Sequence, residues 1–426
     1  MKYLFFILPA FIAFISCKNE KHSGHLTQSS SFHKIKRVEE VGFCSERLSR
    51  LDSLLQNYVD SGVMPNAVTF VARHGKIVHH KAYGWKNIEN KEPVKVDDIF
   101  RNASQTKAIT TVGLMMLFEE GKFLLDDPVS KYLPEWSNTE VLDTIYMKDT
   151  TWKSHKAKNP ITVRMLLNHT SGIPYPNAIY QKFKIPGVNS LEDETIREVS
   201  KRMAKLPVVH EPGTRWTYGL NLEIAGCIIE VLSGMPLDEY FQKKIFEPLG
   251  MKDSYFYLPK EKEARLVTLY SKDSLTAPLK YCTIKQNQEY AYTGARKVFM
   301  GGAGLLGTIE DYAKFCQMML NGGSFNGKQL LGRKTIDIMT RNQIGEALTT
   351  WDQNKFGLGF EIFGEGDVTK TLGSVGSYKW GGMYATDYLI DPQEDLIMLI
   401  YTNAHPFPNP NIHERFRTLV YQALVD

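Results

Sequence analysis

Ser104-Gln105-Thr106-Lys107 opens an apolar stretch, Ala103–Gly121, in which Ile109, Val112, Leu114, Met115, Met116, Leu117 and Phe118 fall on nearly every side. That pattern predicts a helix buried all round and stopped at Gly121. S-x-x-K sets a hydroxyl and an amine one helical turn apart, on one face. The spacing suits acyl-transfer chemistry without a histidine, because the amine can help remove the seryl proton. Two readings of Lys107 stand side by side. A fully buried amine loses proton affinity through desolvation, whereas a lysine with a buried stem can carry its amine to water.

Ser31-Phe32-His33-Lys34 has the same spacing. It lies in a polar stretch from Lys18 to about Val38, which reads as a solvated tether, and a nucleophile there has no pocket. Ahead of the tether come Lys2, an apolar run from Tyr3 to Ile15, and Ser16-Cys17. The run is too short to span a bilayer comfortably and has the order of a secretory signal. Its end resembles a bacterial lipoprotein cleavage site, which implies that Cys17 becomes an acylated N-terminus and anchors the chain to a membrane. Phe14 departs from the aliphatic residue usual at that place. The alternative is plain signal cleavage and a periplasmic or secreted protein.

Roughly 385 residues remain, enough for one large or two closely packed domains. The chain is 43% hydrophobic and 23% charged, as globular proteins are. A net charge of +4 is too small to argue for nucleic acid. Cys44, Cys227, Cys282 and Cys316 are widely spaced, with no C-x-x-C pair, and the sequence assigns no disulfide. No H-E-x-x-H or similar cluster points to a metal, and no cofactor is expected.

Residues 44–61 have helical spacing, and Ala67–Ala72 with Lys76–Tyr83 read as a hairpin around His74-Gly75. Helical signal then dominates: Thr162–Asn168, Glu192–Ala204, Leu222–Ser233, Leu237–Pro248 and Ile309–Leu320. Trp136–Pro160, long and polar without clear periodicity, reads as a surface insertion. Strands are expected at Gly357–Phe363, Tyr384–Asp391 and Leu396–Thr402, and a terminal helix at Ile412–Leu424. The expected fold is therefore α/β: an antiparallel sheet built from both ends of the chain, flanked by helices, with a mostly helical inserted domain. The expected divisions are a signal at 1–17, a tether at 18–40, an α/β domain from 41–104 and 295–426, and a helical domain at 105–294.

Ser104–Lys107 is followed by Glu119-Glu120-Gly121-Lys122 and by Leu125-Asp126-Asp127-Pro128-Val129-Ser130-Lys131-Tyr132-Leu133-Pro134. Thr162–Gly172, containing His169-Thr170-Ser171-Gly172, and Gly301-Gly302-Ala303-Gly304-Leu305 follow in turn. Together these resemble the serine β-lactamase-related family, which includes class C β-lactamases, DD-peptidases, D-aminopeptidases and lactamase-like carboxylesterases. The resemblance runs from about residue 45 to the C-terminus and implies the β-lactamase/transpeptidase fold.

By that resemblance, Glu211-Pro212-Gly213-Thr214-Arg215-Trp216-Thr217-Tyr218 leads into the family's second motif, so Tyr218 shares proton transfer with Lys107. Leu220 stands where many lactamases have asparagine, with Asn221 next to it, and both are expected at the substrate pocket. Trp380-Gly381-Gly382 stands in place of K-T-G and is similar to lactamase-like esterases. The glycines would let a substrate lie against a strand edge. The resemblance assigns the oxyanion hole to the backbone N–H groups of Ser104 and Met383. His169 reads as a hydrogen-bonded core residue. No G-x-S-x-G elbow supports an α/β-hydrolase.

The expected function is a serine hydrolase of the cell envelope working through an acyl-enzyme. An ester or small amide ranks first as substrate, because W-G-G removes the cation that would grip a carboxylate. A D-amino-acid peptide or β-lactam ranks second. A catalytically silent binding protein on the same scaffold is the reading from another class.

Overall fold

The computed structural model describes residues 31–347, 349, 354–407 and 411–426. Residues 1–30, which hold the expected signal, the lipidation candidate Cys17 and most of the expected tether, lie outside the described residues.

Helix α1 (Ser45–Asp60) buries Leu48, Leu51 and Leu55. Strands β1 (Asn66–Arg73) and β2 (Lys76–Asn87) follow. The turn between them places His74 at φ 54 and Gly75 at φ 69, the double left-handed conformation that matches hairpin twist. Asp52 of α1 shares a 2.8 Å hydrogen bond with His79 Nε2, accepts one from Lys81 Nζ at 2.7 Å and another from Tyr83, pinning the helix to β2. Helix α2 (Thr106–Glu119) is buried along almost its whole length, as its all-round apolar pattern requires.

Residues 136–160, expected as a surface insertion, take a regular form there. They form a hairpin, β3 (Glu140–Tyr146) and β4 (Thr151–Lys156), preceded by a buried Trp136 whose indole donates to Ser200 Oγ at 3.1 Å. Most hairpin residues are partly or fully exposed, so no alternation of apolar residues marked the strands. Helices α3 (Asn221–Ser233) and α4 (Ile309–Leu320) match their expected ranges closely. The expected helix at 192–204 starts only at Ile196, where Thr195 and Glu198 form a capping box.

Strands β5 (Tyr378–Gly382), β6 (Thr386–Asp391) and β7 (Leu396–Tyr401) precede helix α5 (Asn411–Tyr421). Two expectations fail here. The strand expected at Tyr384–Asp391 starts only at Thr386, because Met383–Ala385 make the turn after Trp380-Gly381-Gly382, with Ala385 at φ 65. The strand expected at 357–363 shrinks to Glu361–Ile362, because Gly357 N–H bonds to Phe360 O and Gly359 sits at φ 82.

The main sheet runs His33–Lys34, β2, β1, β7, β6, β5, Glu361–Ile362, Lys355–Phe356. It joins strands from both ends of the described chain, antiparallel except where His33–Lys34 runs parallel to β2. Residues 31–40 are therefore not tether: Phe32 packs on Phe70 and Phe325, and Val38–Val41 forms a helical turn. One face of the sheet is covered by α1 and α5, the other by α4 and the large core that contains α2 and α3. Among the described residues no helix is long and apolar enough to cross a membrane, and Cys44, Cys227, Cys282 and Cys316 are free thiols.

Candidate active site

Ser104 lies in a tight 3₁₀ turn, Ala103–Gln105, that leads directly into α2. Ala103 takes φ 45, a strained value for a residue with a Cβ. The strain is held from two sides. Thr106 Oγ1 donates to Ala103 O at 2.7 Å and accepts the Leu305 N–H at 3.0 Å, while Asn102 N–H bonds to Leu305 O at 3.0 Å. Ser104 is 8% exposed, and its hydroxyl sits at the positive end of a helix.

Lys107 is 1% exposed, which excludes an amine reaching water. Its Nζ donates to Gly302 O at 2.7 Å, to Tyr175 Oη at 3.0 Å and to Ser104 Oγ at 3.3 Å. Three donors meet three acceptors, the full complement of an ammonium. Burial works against the charge, but the phenols of Tyr175 and Tyr218 and the carboxylate of Glu223 outweigh it and hold the amine above the ordinary lysine range. Desolvation alone gave the opposite expectation from sequence.

Tyr218 lies beneath that ammonium, with Nζ 4.6 Å from its ring centroid. Its hydroxyl accepts from Trp380 Nε1 at 3.1 Å, and its ring packs among His169, Tyr175, Trp216 and Trp380. Tyr175, absent from the sequence reading, follows the H-T-S-G segment by three residues. Its phenol is raised above the tyrosine range by burial, which outweighs the opposing charge of Lys107.

Ser104, Tyr175, Tyr218, Trp380, Gly381, Gly382 and Met383 line one cleft of about 520 Å³, with Lys379, Glu361, Asp387 and His413 farther along its wall. Lys379 is ion-paired with Glu361 at 2.9 Å. Gly382 has a packing reason to be glycine: a Cβ there would stand 2.4 Å from the Asn102 carbonyl oxygen. The missing side chain lets β5 end against the residue two before Ser104, which brings Met383 to the same cleft. At Gly381 a Cβ would meet Thr386 O at 3.0 Å.

Leu220 and Asn221, expected at the pocket, are not there. Both are fully buried at the start of α3, turned into the core by the helix that follows Tyr218. Asn221 Nδ2 bonds to His169 Nδ1 at 2.9 Å and its Oδ1 accepts from Ser171 Oγ. His169 is accordingly a core residue, and burial holds its imidazole well below the usual range, neutral at pH 7.

A lysine-bonded serine on a strained helix start, opening to a cleft beside a sheet strand, has the parts that an acyl-transfer serine hydrolase uses. The Beta-lactamase family profile matches residues 51–422, and the chain belongs to that family. Among curated relatives, a Salmonella typhimurium protein named "Putative D-alanyl-D-alanine carboxypeptidase" is 30% identical over 408 residues, covering 88% of each chain. Among solved structures, EstCE1, titled a hydrolase with promiscuous acyltransferase activity, superposes with TM-score 0.76 at 25% identity, covering 88% of this chain and 99% of its own. Simvastatin synthase LovD from Aspergillus terreus shares the fold at TM-score 0.75 and 24% identity, over 89% and 98% of the two chains.

Proposed function

We propose that this hydrolase cleaves an ester or small amide at the cell envelope, through an acyl-enzyme on Ser104. The observation that carries the reading is the 3.3 Å bond between Lys107 Nζ and Ser104 Oγ in a buried pocket that opens to the cleft. Ser104 Oγ attacks the carbonyl, and its proton passes to the Lys107–Tyr218 pair in the form that holds one proton fewer than ammonium plus phenol. The oxyanion forms between the backbone N–H groups of Ser104 and Met383. The same pair returns the proton to the leaving alkoxide or amine, and water then repeats the sequence on the acyl ester.

Trp380 occupies the place of the K-T-G lysine and spends its N–H on Tyr218, which favours a neutral substrate end. A second reading, a D-amino-acid peptide or β-lactam as substrate, is favoured by Lys379 on the cleft wall and by the name of the Salmonella relative. Hydrolysis of a short-chain nitrophenyl ester and of a chromogenic cephalosporin, followed side by side, separates the two. Ester turnover no faster than that of Ser104→Ala contradicts the first. For location, the reading is a lipid anchor on Cys17; Cys17→Ala then releases the chain from the membrane fraction.

A further inference from the structure

We propose that Glu223 is the buried counter-charge of Lys107 and a positioning residue for the Ser104 site, with the Gly302 peptide standing between the two. The proposal rests on the acyl-enzyme reading above and names a residue that the family motifs quoted for this chain leave without a role.

Glu223 lies in the first turn of α3 and is 1% exposed. Neither carboxylate oxygen has a side-chain hydrogen-bond partner among the described residues, and only the backbone amides of Glu223 and Gly302 face it. A buried carboxylate in that state is retained only where a cation offsets its desolvation. Burial pushes the Glu223 carboxyl above the usual carboxylate range, and the charge of Lys107 is the main influence opposing that rise, ahead of the backbone amides of Glu223 and Gly302. The effect is mutual, since Glu223 also favours the Lys107 charge.

Gly302 supplies the geometry. Its carbonyl accepts from Lys107 Nζ at 2.7 Å. On its other side a Cβ would fall 2.4 and 2.5 Å from the two Glu223 oxygens. Residue 302 has no side chain because Glu223 occupies that space. Gly301 is confined in the same way, 2.6 Å from Leu222 O. This accounts for the first two glycines of Gly301-Gly302-Ala303-Gly304-Leu305, which the Ser104 chemistry by itself does not require.

The groups facing this pair are Lys107 from α2, Tyr175 and Tyr218 from the loops across the cleft, and the neutral His169. In that setting the Glu223 anion favours the ammonium over the amine. It thereby keeps three hydrogens on Nζ for Gly302 O, Tyr175 and Ser104. Removing the anion makes the site lose its proton more readily, so the reactive form with one proton fewer is reached at lower pH.

The test is the pH profile of Ser104 labelling by a fluorophosphonate, followed by intact mass. Glu223→Gln is expected to move the acid limb down by about one pH unit, and Glu223→Asp, which keeps the charge, returns most of the shift. Superimposable limbs for wild type and Glu223→Gln overturn the proposal. A second arm needs no activity. In Lys107→Met the uncompensated Glu223 is expected to lower the melting temperature more at pH 8 than at pH 5, since a buried carboxyl with a raised pKa withholds stability as pH rises. Adding Glu223→Gln is expected to recover the loss and remove the pH difference. A double variant that melts no higher than Lys107→Met overturns the proposal, whereas Glu223→Gln failing to fold while the double variant folds supports it. Folded wild-type protein that labels no faster than Ser104→Ala would sink the acyl-enzyme reading instead, and the melting arm would still decide on the charge pair.

Discussion

Trp380 Nε1 donates to the Tyr218 hydroxyl at 3.1 Å, with the two rings 5.2 Å apart. The residue in place of the K-T-G lysine thus faces the phenol rather than offering a charge to the substrate. Trp380→Phe keeps the packing and removes the donor. Steady-state kinetics on a nitrophenyl ester should show kcat reduced about 10- to 100-fold, roughly 1.4–2.7 kcal/mol of barrier, with KM nearly unchanged. A KM effect with unchanged kcat would assign Trp380 to substrate binding instead.

The two tyrosines are expected to separate by magnitude. Tyr218→Phe removes the proposed proton carrier and should cost about 10²- to 10⁴-fold in kcat. Tyr175→Phe removes one hydrogen-bond partner of Lys107 Nζ and should cost about tenfold, an ordinary hydrogen bond's worth. Equal losses would mean that the phenols act as one unit, and a reversed order would make Tyr175 the carrier.

Gly382→Ala places a methyl 2.4 Å from a backbone carbonyl that cannot swing aside. The end of β5 must then move away from Asn102 and take Met383 with it. A loss of one oxyanion donor costs about 10²- to 10³-fold in kcat, while overpacking destabilises by about 1–3 kcal/mol. Kinetics and a thermal melt on the same sample check both figures. Full activity in this variant would remove Met383 from the proposed oxyanion hole.

These residues divide sharply in how far the sequence exposes them. Ser104 and Lys107 are legible because both chemistry and spacing are local to one helix turn. The β1–β2 hairpin is legible because alternation and His74-Gly75 agree. Leu220 and Asn221 mislead, since closeness to Tyr218 in sequence says nothing once a helix begins and rotates them into the core. Tyr175 reaches Lys107 across 68 positions, and no local pattern encodes that meeting. Glu223 did carry a signal akin to that of Lys107: a charged residue near the start of a largely apolar helical stretch, though Glu230 shares it. The hairpin at 140–156 carried none, because partly solvated two-stranded segments lack the alternation that marks a half-buried strand.

Acid stability follows from the buried imidazoles. His169 is fully buried and its pKa is lowered by desolvation and by Lys107. Because the unfolded chain then binds the extra proton, stability falls as pH drops below the unfolded value of 6.5. One such group contributes at most about 1.4 kcal/mol per pH unit below that value. Urea unfolding at pH 5 and pH 7 should show this slope, and His169→Gln should show less of it. An unchanged slope in the variant would mean that His169 is charged in the folded protein.

Ser104 is the residue proposed to form the covalent intermediate. Intact mass after fluorophosphonate treatment tests it most directly. One adduct per chain is expected on wild type, mapped to Ser104, and none on Ser104→Ala. Folded wild-type protein without an adduct, or an adduct of equal yield on Ser104→Ala, would contradict it.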